Sequence, residues 1–304
     1  MEDVTDTVFR QIITDCGKPD VFFTEFTNVE GICSRGRHKV AKRLKFTDIE
    51  RPIVAQIWGN DPKNYLETAK LIKEMKFDGI DINMGCPEKS IVKKGSCAAL
   101  INNHSLAREI ILATRAGAGG LPISVKTRIG IKNIQTEEWS TFLLNLNLQA
   151  LIIHGRTALE MSDVPAHWEE IGKVVKLRDA LNLKTLIIGN GDVKSMNDAM
   201  EKYEKYKVDG VMIGRGIFDN LWVFNKNINP NSISYQDKLK LLIKHIKLFD
   251  KTWGSRRLGT KNFSIMKKFY KIYISGMPDA SNVRTELMKF RNAKETLEFL
   301  KTKI

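Results

Sequence analysis

Polar and reactive side chains recur in this sequence where short apolar segments rich in valine and isoleucine end. Thiol, imidazole and amine groups transfer protons, and guanidinium groups bind carboxylates and phosphates. The segment GIDINMGCP, residues 79–87, carries a thiol at such an end. These side chains together suit an electron-rich ligand and proton transfer. The segment ends carry Gln56, Asn83, Cys86, Lys126, Arg128, His154, Arg156, Asn190, Asp192 and Arg215.

Cys86 is compatible with three roles. Free cysteine is among the most buried residue types, so this thiol could be structural. A nucleophile would need a lowered pKa and an oriented base nearby. A general acid would only need to stay protonated, as a thiol with an ordinary pKa of about 8.5 does at neutral pH. The residues alone leave the three roles open.

Two glycine-flanked turns follow the last two apolar segments, IIGNGDV at 187–193 and VMIGRGI at 211–217. Glycine lets backbone N–H groups approach a phosphate closely, and a following helix start favours an anion. In (β/α)₈ barrels the last two such loops commonly bind phosphate. One turn of this kind is ordinary, but the two together predict a phosphate-bearing ligand.

Lys126 lies inside the apolar segment ISVKTRIG, and His154 closes the segment LIIHGRT. A lysine in such a place needs a partner, either a buried carboxylate or the electron-rich atoms of a ligand. A histidine at a strand end is often only a hydrogen-bonded core residue. Because both belong to the series of polar segment ends, we expect them to face the same ligand.

Seven segments rich in valine and isoleucine predict buried parallel strands, and amphipathic segments between them predict helices, for example at 63–76, 104–116 and 194–206. This alternation is typical of a (β/α)₈ TIM barrel or of an open doubly wound sheet. Polar ends of consecutive strands converge on one mouth in a barrel but spread along an edge in an open sheet. We therefore predict an α/β TIM barrel. The predicted strands begin at residues 21, 52, 79, 121, 150, 185 and 210.

The composition, 42% hydrophobic and 28% charged over 304 residues, is that of a globular protein. No apolar run approaches the roughly 20 residues of a membrane span, and the first residues do not resemble a secretory signal. None of the four cysteines forms a CxxC pair, which argues against zinc and against a disulfide framework. We expect a cytoplasmic monomer that binds neither metal nor membrane.

The last part of the chain differs in pattern and charge. The segment YQDKLKLLIKHIKLFDKTW predicts a long helix, and residues 235–304 contain 17 Lys and Arg against 6 Asp and Glu. This segment thus holds +11 of the net charge of +14. Such a segment attracts polyanions, although a solvated lysine-rich helix face gives the same count. We predict a catalytic domain at 1–229 and a basic helical domain at 235–304.

These motifs together resemble the dihydrouridine synthase family, flavoenzymes that reduce specific uridines in tRNA. The resemblance covers effectively the whole chain. Family members carry an apolar strand ahead of the segment that matches MEDVTD. Either that strand precedes residue 1, or this barrel closes by another route. Cys97 stands where relatives have a small residue without sulfur, and we assign it to packing. The motifs are MEDVTDTVFR, VAQIWGNDP, GIDINMGCPEKS, SVKTRIG, IIHGRT, IIGNGDV, GVMIGRGIF and MKKFYKIYISG.

The resemblance implies FMN as the phosphate-bearing ligand and NADPH as the reductant. The residues implied to bind FMN are Gln56, Lys126, His154, Gly189, Asn190, Gly191, Asp192, Gly214, Arg215 and Gly216. Those implied to face the uridine or its flanking RNA are Asn83, Arg128 and Arg156. The tail lysines implied to contact tRNA phosphates are Lys238, Lys261, Lys267, Lys268 and Lys271.

By the same resemblance, a hydride adds to C6 of uracil and Cys86 donates a proton to C5. The uridine must be unstacked to expose both faces. Two alternatives remain. An FMN barrel oxidoreductase acting on a free pyrimidine, as dihydroorotate dehydrogenases do, would leave the basic tail without a role. A relative that binds RNA without catalysis would not bind flavin.

Overall fold

The computed structural model describes residues 3–229, 232–254 and 261–303. The chain forms two compact units, one of Val21–Leu44 with Arg51–Gly216 and one of Met1–Asp20, Lys45–Glu50 and Ile217–Ile304. We call them the barrel unit and the helical unit. The helical unit includes residues 1–20 and 217–229, which the division drawn from the sequence places with the barrel. The functional roles given to the domains 1–229 and 235–304 stay a prediction.

Eight short strands form one parallel sheet. Hydrogen bonds join them in the order β1, β3, β4, β5, β6, β7, β8, and β2 also pairs with β3. The described residues include no register between β8 and β1, and the strand expected before residue 1 lies outside them. The strands are β1 Phe22–Phe23, β2 Thr27–Asn28, β3 Ile53–Trp58, β4 Gly79–Met84, β5 Ile123–Arg128, β6 Ala150–His154, β7 Leu186–Asn190 and β8 Gly210–Met212.

Each predicted strand is present, and helices follow the strands as expected, so the α/β TIM-barrel prediction is confirmed. The first predicted strand is split into β1 and β2. The cause lies at Thr24, whose hydroxyl accepts the N–H of Gln56 at 3.0 Å in place of a backbone carbonyl. The ladder with β3 is therefore interrupted at this point and resumes at β2.

The helices show the usual sequence signals, a capping residue at the start and apolar residues along one face. In α4, Pro62–Glu74, the Asp61 side chain accepts the N–H of Lys63 at 2.9 Å, and Tyr65, Thr68, Ala69 and Ile72 are buried on one face. The others are α1 Thr7–Cys16, α2 Val29–Ile32, α3 Arg37–Val40, α5 Lys89–Val92, α6 His104–Ala118, α7 Thr136–Leu144, α8 Trp168–Ala180, α9 Met196–Tyr206, α10 Tyr235–Trp253, α11 Tyr270–Ile274, α12 Ala280–Leu287 and α13 Ala293–Lys301.

The helical unit packs α1 against α10, the long helix predicted at 235–253. Phe9 of α1 stacks on Phe269 with ring centroids 5.1 Å apart, and Leu239, Leu242 and Ile246 of α10 are fully buried. These contacts give the unit an apolar core of its own. Among the described residues, none of the helices combines the length and the apolarity needed to cross a membrane.

Candidate active site

The parallel register brings the polar strand ends of the barrel unit side by side. Asn83 of β4 pairs with Lys126 of β5, and His154 of β6 pairs with both Arg128 of β5 and Asn190 of β7. Because all these strands point the same way, their carboxyl ends lie at the same mouth of the barrel. The expected convergence of polar groups is therefore present.

Cys86 lies two residues beyond β4, and Asn83 fixes the turn that carries it. The Asn83 side-chain oxygen accepts the N–H groups of Gly85 and Cys86 at 3.0 and 3.1 Å. Its amide nitrogen donates to the Gln56 oxygen at 3.3 Å, and the residue is 8% exposed. Both polar atoms of Asn83 are thus engaged within the chain. In the structure this residue supports the thiol loop, whereas the sequence predicted a contact with the nucleobase.

Arg128 joins three loops of the barrel unit. Its Nε donates to the Gly85 carbonyl at 3.0 Å, and one Nη donates to the carbonyls of Thr157 and Met161 at 2.7 and 3.0 Å. The guanidinium therefore holds the backbone next to Cys86 while keeping a positive charge close to the thiol. It is half-buried, and burial together with the charge of Arg156 lowers its pKa to about 10.

The thiol of Cys86 has a perturbed pKa. A hydrogen bond from the Cys97 thiol lowers the pKa of Cys86 to about 7, against the opposing effect of burial. The same hydrogen bond, burial and the charge on Cys86 raise the pKa of Cys97 well above its usual range. The sequence assigned Cys97 to packing, whereas in the structure it is the partner that lowers the pKa of Cys86. A pKa near the working pH suits an acid or base catalyst.

A buried carboxylate lies within strand β4 and accepts hydrogen bonds from side chains of β3 and β5. Asp81 of β4 is 0% exposed and accepts hydrogen bonds from Gln56 Nε2 at 2.7 Å and Ser124 Oγ at 2.6 Å. Burial raises its pKa. Gln56, predicted to face flavin, is thus bound to Asp81 and Asn83 through its amide.

Lys126 has partners within the chain but keeps an unusual pKa. Its Nζ donates to Asn190 Oδ1 at 2.9 Å, and the Asn190 amide nitrogen donates to the Met212 carbonyl at 2.8 Å. Burial lowers the Lys126 pKa to about 8, although the nearby Asp81 charge opposes this shift. Lys126 of β5 is therefore hydrogen-bonded to Asn190 of β7. Because its pKa is lowered, a nearby charge can shift its protonation state.

His154 carries a buried nitrogen that has no partner in the described part of the chain, Nδ1. Burial and the charges of Lys126, Arg128, Arg156 and Arg215 lower its pKa to about 2, so the imidazole is neutral at physiological pH. A buried polar atom left unpaired costs free energy, so such an atom marks a place for a ligand group. The polar edge of a flavin ring carries hydrogen-bonding groups of the kind that this nitrogen lacks.

Arg156 is buried and bound within the chain. It is 2% exposed, its guanidinium pairs with Asp192, and it also donates to the Val164 carbonyl. The sequence predicted that Arg156 faces the RNA and that Asp192 binds FMN. In the structure the two form an ion pair, with Arg215 Nη2 at 3.9 Å from the other Asp192 oxygen. Arg215 itself is exposed and remains accessible to a phosphate.

The first glycine turn is shaped by close neighbours. Gly191 has φ +134, and a Cβ there would lie 2.7 Å from the Ala166 side chain and 3.6 Å from the His154 ring. A side chain at this position would therefore enter the space beside His154. At Gly189 a Cβ would meet the Trp168 ring at 2.3 Å, so this glycine is required for packing.

Comparison with known proteins shows the family to which the chain belongs. The family model described as dihydrouridine synthase (Dus) matches residues 1–304. The chain belongs to the dihydrouridine synthase family. A "Probable tRNA-dihydrouridine synthase" of Staphylococcus aureus strain COL is 43% identical over 302 residues, which cover 99% of this chain and 90% of the relative. A "Probable tRNA-dihydrouridine synthase 2" of Bacillus subtilis strain 168 is 42% identical over 99% of this chain and 91% of its own length.

The barrel architecture of this dihydrouridine synthase also has a likeness among solved structures. Morphinone reductase in complex with tetrahydroNAD superposes with a TM-score of 0.50 at 12% identity, over 73% of this chain and 81% of that chain. At this identity the likeness concerns the fold alone. The family resemblance drawn from the motifs is confirmed, and membership supports a flavin cofactor.

The tail lysines of this dihydrouridine synthase differ in accessibility. The Lys261 side chain is 1% exposed, its Nζ lies 3.1 Å from Asp6 Oδ2, and it sits 5.3 Å from the Trp253 ring centroid. Lys261 therefore belongs to the interior of the helical unit, contrary to the predicted phosphate contact. Lys267 donates to the Met288 carbonyl at 2.5 Å, and Lys238 donates to the Ser275 carbonyl at 3.3 Å.

Reasoning from the sequence missed Asp81 and did not assign Cys97 to the site. Asp81, like Lys126, is a charged residue inside an apolar segment. The reasoning that singled out Lys126 therefore applies to Asp81 as well. Cys97 carried no signal in the sequence, because its relation to Cys86 depends on the path of residues 87–96. In the described residues no group of three or more His, Cys, Asp or Glu side chains is arranged to hold a metal ion.

Proposed function

We propose that this dihydrouridine synthase reduces the C5=C6 bond of specific uridines in tRNA, using FMN with NADPH as the reductant. The carrying observation is the match to the dihydrouridine synthase family over residues 1–304. Two groups of the barrel unit agree with it: the thiol of Cys86, and His154, whose Nδ1 has no partner among the described residues. The first offers a proton and the second a place for a flavin. Bound FMN, once reduced, supplies the hydride that uracil C6 receives.

His154 and Lys126 would face the flavin ring, with the turns at 189–191 and 214–216 at its phosphate. Neutral His154 can donate or accept one hydrogen bond without adding charge. The ammonium of Lys126 favours negative charge on the ring, and a lowered pKa of about 8 makes its own charge sensitive to that group. Arg215, exposed beside Asp192, would pair with the phosphate.

Cys86 would donate the proton that C5 requires when C6 receives the hydride. Without that proton, negative charge accumulates at C5 and the C4 carbonyl. A thiol whose pKa is lowered to about 7 releases its proton more readily than an ordinary thiol. Arg128 and the Cys97 thiol stabilise the thiolate that remains.

The rate of uridine reduction should fall as the pH rises through about 7. Cys86 must be protonated to act, and its pKa is lowered to about 7, so the acid form is lost above that value. Single-turnover rates of flavin-reduced enzyme, measured on tRNA over about three pH units, test this. Cys97→Ala removes the main cause of the lowered pKa and should move the midpoint upward. A midpoint that does not respond would assign the titration to another group.

Asn83→Ala should lower the turnover of uridine about tenfold while changing the KM for tRNA little. The substitution leaves the N–H groups of Gly85 and Cys86 without their acceptor, so the thiol occupies its working position for less of the time. Steady-state kinetics measure the effect. Asn83→Asp keeps the acceptor and should restore most of the turnover. Equally slow turnover in both variants would argue that the amide contacts substrate instead.

The helical unit would bind tRNA through exposed lysines. Four lysines of α10 recur at helical spacing and are exposed, and Lys268 and Lys271 are exposed in the following segment. Phosphate contacts of this kind position RNA without reading its sequence. The four lysines of α10 are Lys240, Lys244, Lys247 and Lys251.

Reversing two of these charges, Lys268→Glu with Lys271→Glu, should weaken tRNA binding and flatten its dependence on salt. The slope of log affinity against log salt should decrease in magnitude by about 0.7 to 0.9 for each tRNA phosphate that the variant no longer neutralises. Filter binding at several salt concentrations measures it. Lys176→Glu, at an exposed position of α8 in the barrel unit, is the matched charge change. Equal slopes for the wild type, the double variant and Lys176→Glu would mean that the tail lysines are an ordinary solvated surface.

The function itself is tested by comparing substrates. FMN-loaded protein with NADPH should form dihydrouridine in tRNA that lacks the modification, and should not turn over free uridine or dihydroorotate. Turnover of the small molecules alone would support a free-pyrimidine oxidoreductase, and a colourless protein that takes up no FMN would support an RNA-binding relative. The cytoplasmic location and monomeric state expected from the sequence remain predictions.

A further inference from the structure

Cys86 and Cys97 lie together in the barrel unit, and each is a free thiol. We propose that they form a redox-active dithiol site, which hydrogen peroxide closes to a Cys86–Cys97 disulfide and a small dithiol reductant reopens. Neither partner of such a site is needed elsewhere in the described part of the chain as a metal ligand or a structural crosslink. Cys97 thus gains a role that packing alone does not give it.

The contacts between the two residues involve both backbone and side chains. The N–H of Ala98 donates to the Cys86 carbonyl at 3.3 Å, which ties the start of the 3-10 turn Cys97–Asn102 to the end of the thiol loop. The two thiols are also close enough for Cys97 to lower the pKa of Cys86. The connecting segment 87–96 folds back through the short helix α5. Since a backbone hydrogen bond already joins Cys86 to the residue after Cys97, we expect a disulfide to require little movement of the backbone.

Cys97 also has an unusual backbone. Its φ is +55, a left-handed conformation that residues with a side chain seldom adopt, and Gly95 two residues earlier has φ +79. In this conformation the Cys97 side chain is 0% exposed, and its thiol affects the pKa of Cys86. The path of the chain therefore presents this thiol to its partner.

The two thiols differ in exposure, which sets the order of reaction. Cys86 is half-buried and Cys97 is fully buried, so a small oxidant meets Cys86 first. The Cys86 sulfur attacks one peroxide oxygen, an S–O bond forms, the O–O bond breaks, and the other oxygen leaves as hydroxide. The Cys97 sulfur then attacks the Cys86 sulfur, the S–S bond forms, and the S–O bond breaks.

The balance closes without a further reactant. The two thiols lose two electrons and two protons, and hydrogen peroxide becomes two molecules of water. A dithiol reductant reverses the step by thiol–disulfide exchange. The disulfide removes the Cys86 proton, so reduction of uridine would stop. This last consequence rests on the proposed function, whereas formation of the disulfide does not.

Peptide mapping of the full-length protein tests the site. After treatment with hydrogen peroxide and alkylation of the remaining thiols, mass spectrometry should find the peptides of Cys86 and Cys97 joined, and dithiothreitol should separate them. Cys33→Ser, which removes an exposed thiol, should leave the crosslink unchanged. Cys97→Ser and Cys97→Ala should instead give sulfinic acid at Cys86, which dithiothreitol does not restore.

Activity provides a second, separable measurement. The peroxide-treated wild-type protein should lose most of its uridine reduction and regain most of it with dithiothreitol, while the Cys97 variants regain little. Sulfinic acid at Cys86 of the wild-type protein without a crosslink would overturn the dithiol site. A crosslinked protein with full activity would support the site and would refute the acid role of Cys86.

Discussion

Replacing Cys86 with alanine should lower the rate of dihydrouridine formation in tRNA by about 10²- to 10⁴-fold, the usual effect of losing a general acid. Cys86 is the thiol whose pKa is lowered to about 7, and alanine offers no proton in its place. The flavin contacts proposed for Lys126 and His154 do not involve the thiol, so flavin absorbance of the purified variant should match that of the wild type.

Two controls make this result specific. Cys33→Ala removes an exposed thiol of the barrel unit and should leave turnover within about twofold of the wild type. Reduction of the flavin by NADPH should proceed at the wild-type rate in Cys86→Ala, because it precedes proton donation to uracil. Wild-type turnover by Cys86→Ala would refute the acid role, and loss of flavin reduction would place the thiol at an earlier step.

Replacing Glu50 with alanine should lower the free energy of unfolding by about 3 to 5 kcal/mol, a large part of the typical value of roughly 5 to 15 kcal/mol. Glu50 is 0% exposed, and its carboxylate lies 2.6 Å from Arg10 Nε. It also accepts hydrogen bonds from Thr7 Oγ1 at 2.5 Å and from the N–H of Thr47 at 2.8 Å. Alanine would leave the buried guanidinium of Arg10 without its counter-charge.

Denaturation in urea, followed by circular dichroism, measures this change. Glu67→Ala is the matched control, because Glu67 forms an ion pair with Lys70 in which both side chains are more than half exposed. Exposed pairs contribute about 0 to 1 kcal/mol, so this control should unfold close to the wild type. Similar stabilities of the two variants would mean that the Arg10–Glu50 pair makes no special contribution.

Much of the barrel was readable from the sequence because strand and helix patterns are local. The Val- and Ile-rich segments correspond to β1–β8, and the long helix predicted at 235–253 is α10. Parallel strands in a fixed order then place their carboxyl ends together, so the position of the site followed from local patterns and one rule of topology.

The partners of the site residues were not readable in the same way. Arg156 pairs with Asp192, and Lys261 pairs with Asp6, which lies at the other end of the sequence. A polar side chain looks the same in a sequence whether it faces a ligand or a partner from a distant segment. For this reason the sequence did not show that Asn83, Arg156 and Lys261, which were predicted to contact RNA, have partners within the chain.

By itself the sequence determined the family, the strands and helices, and the thiol, imidazole and cations of the active-site edge. Only the tertiary structure decided which of these groups have partners within the chain and which have a polar atom without a partner among the described residues. It also placed Cys97 against Cys86 and so set the pKa of the thiol. The physical reason is that hydrogen bonds, burial and charge act over a few ångströms of space, irrespective of the separation along the chain.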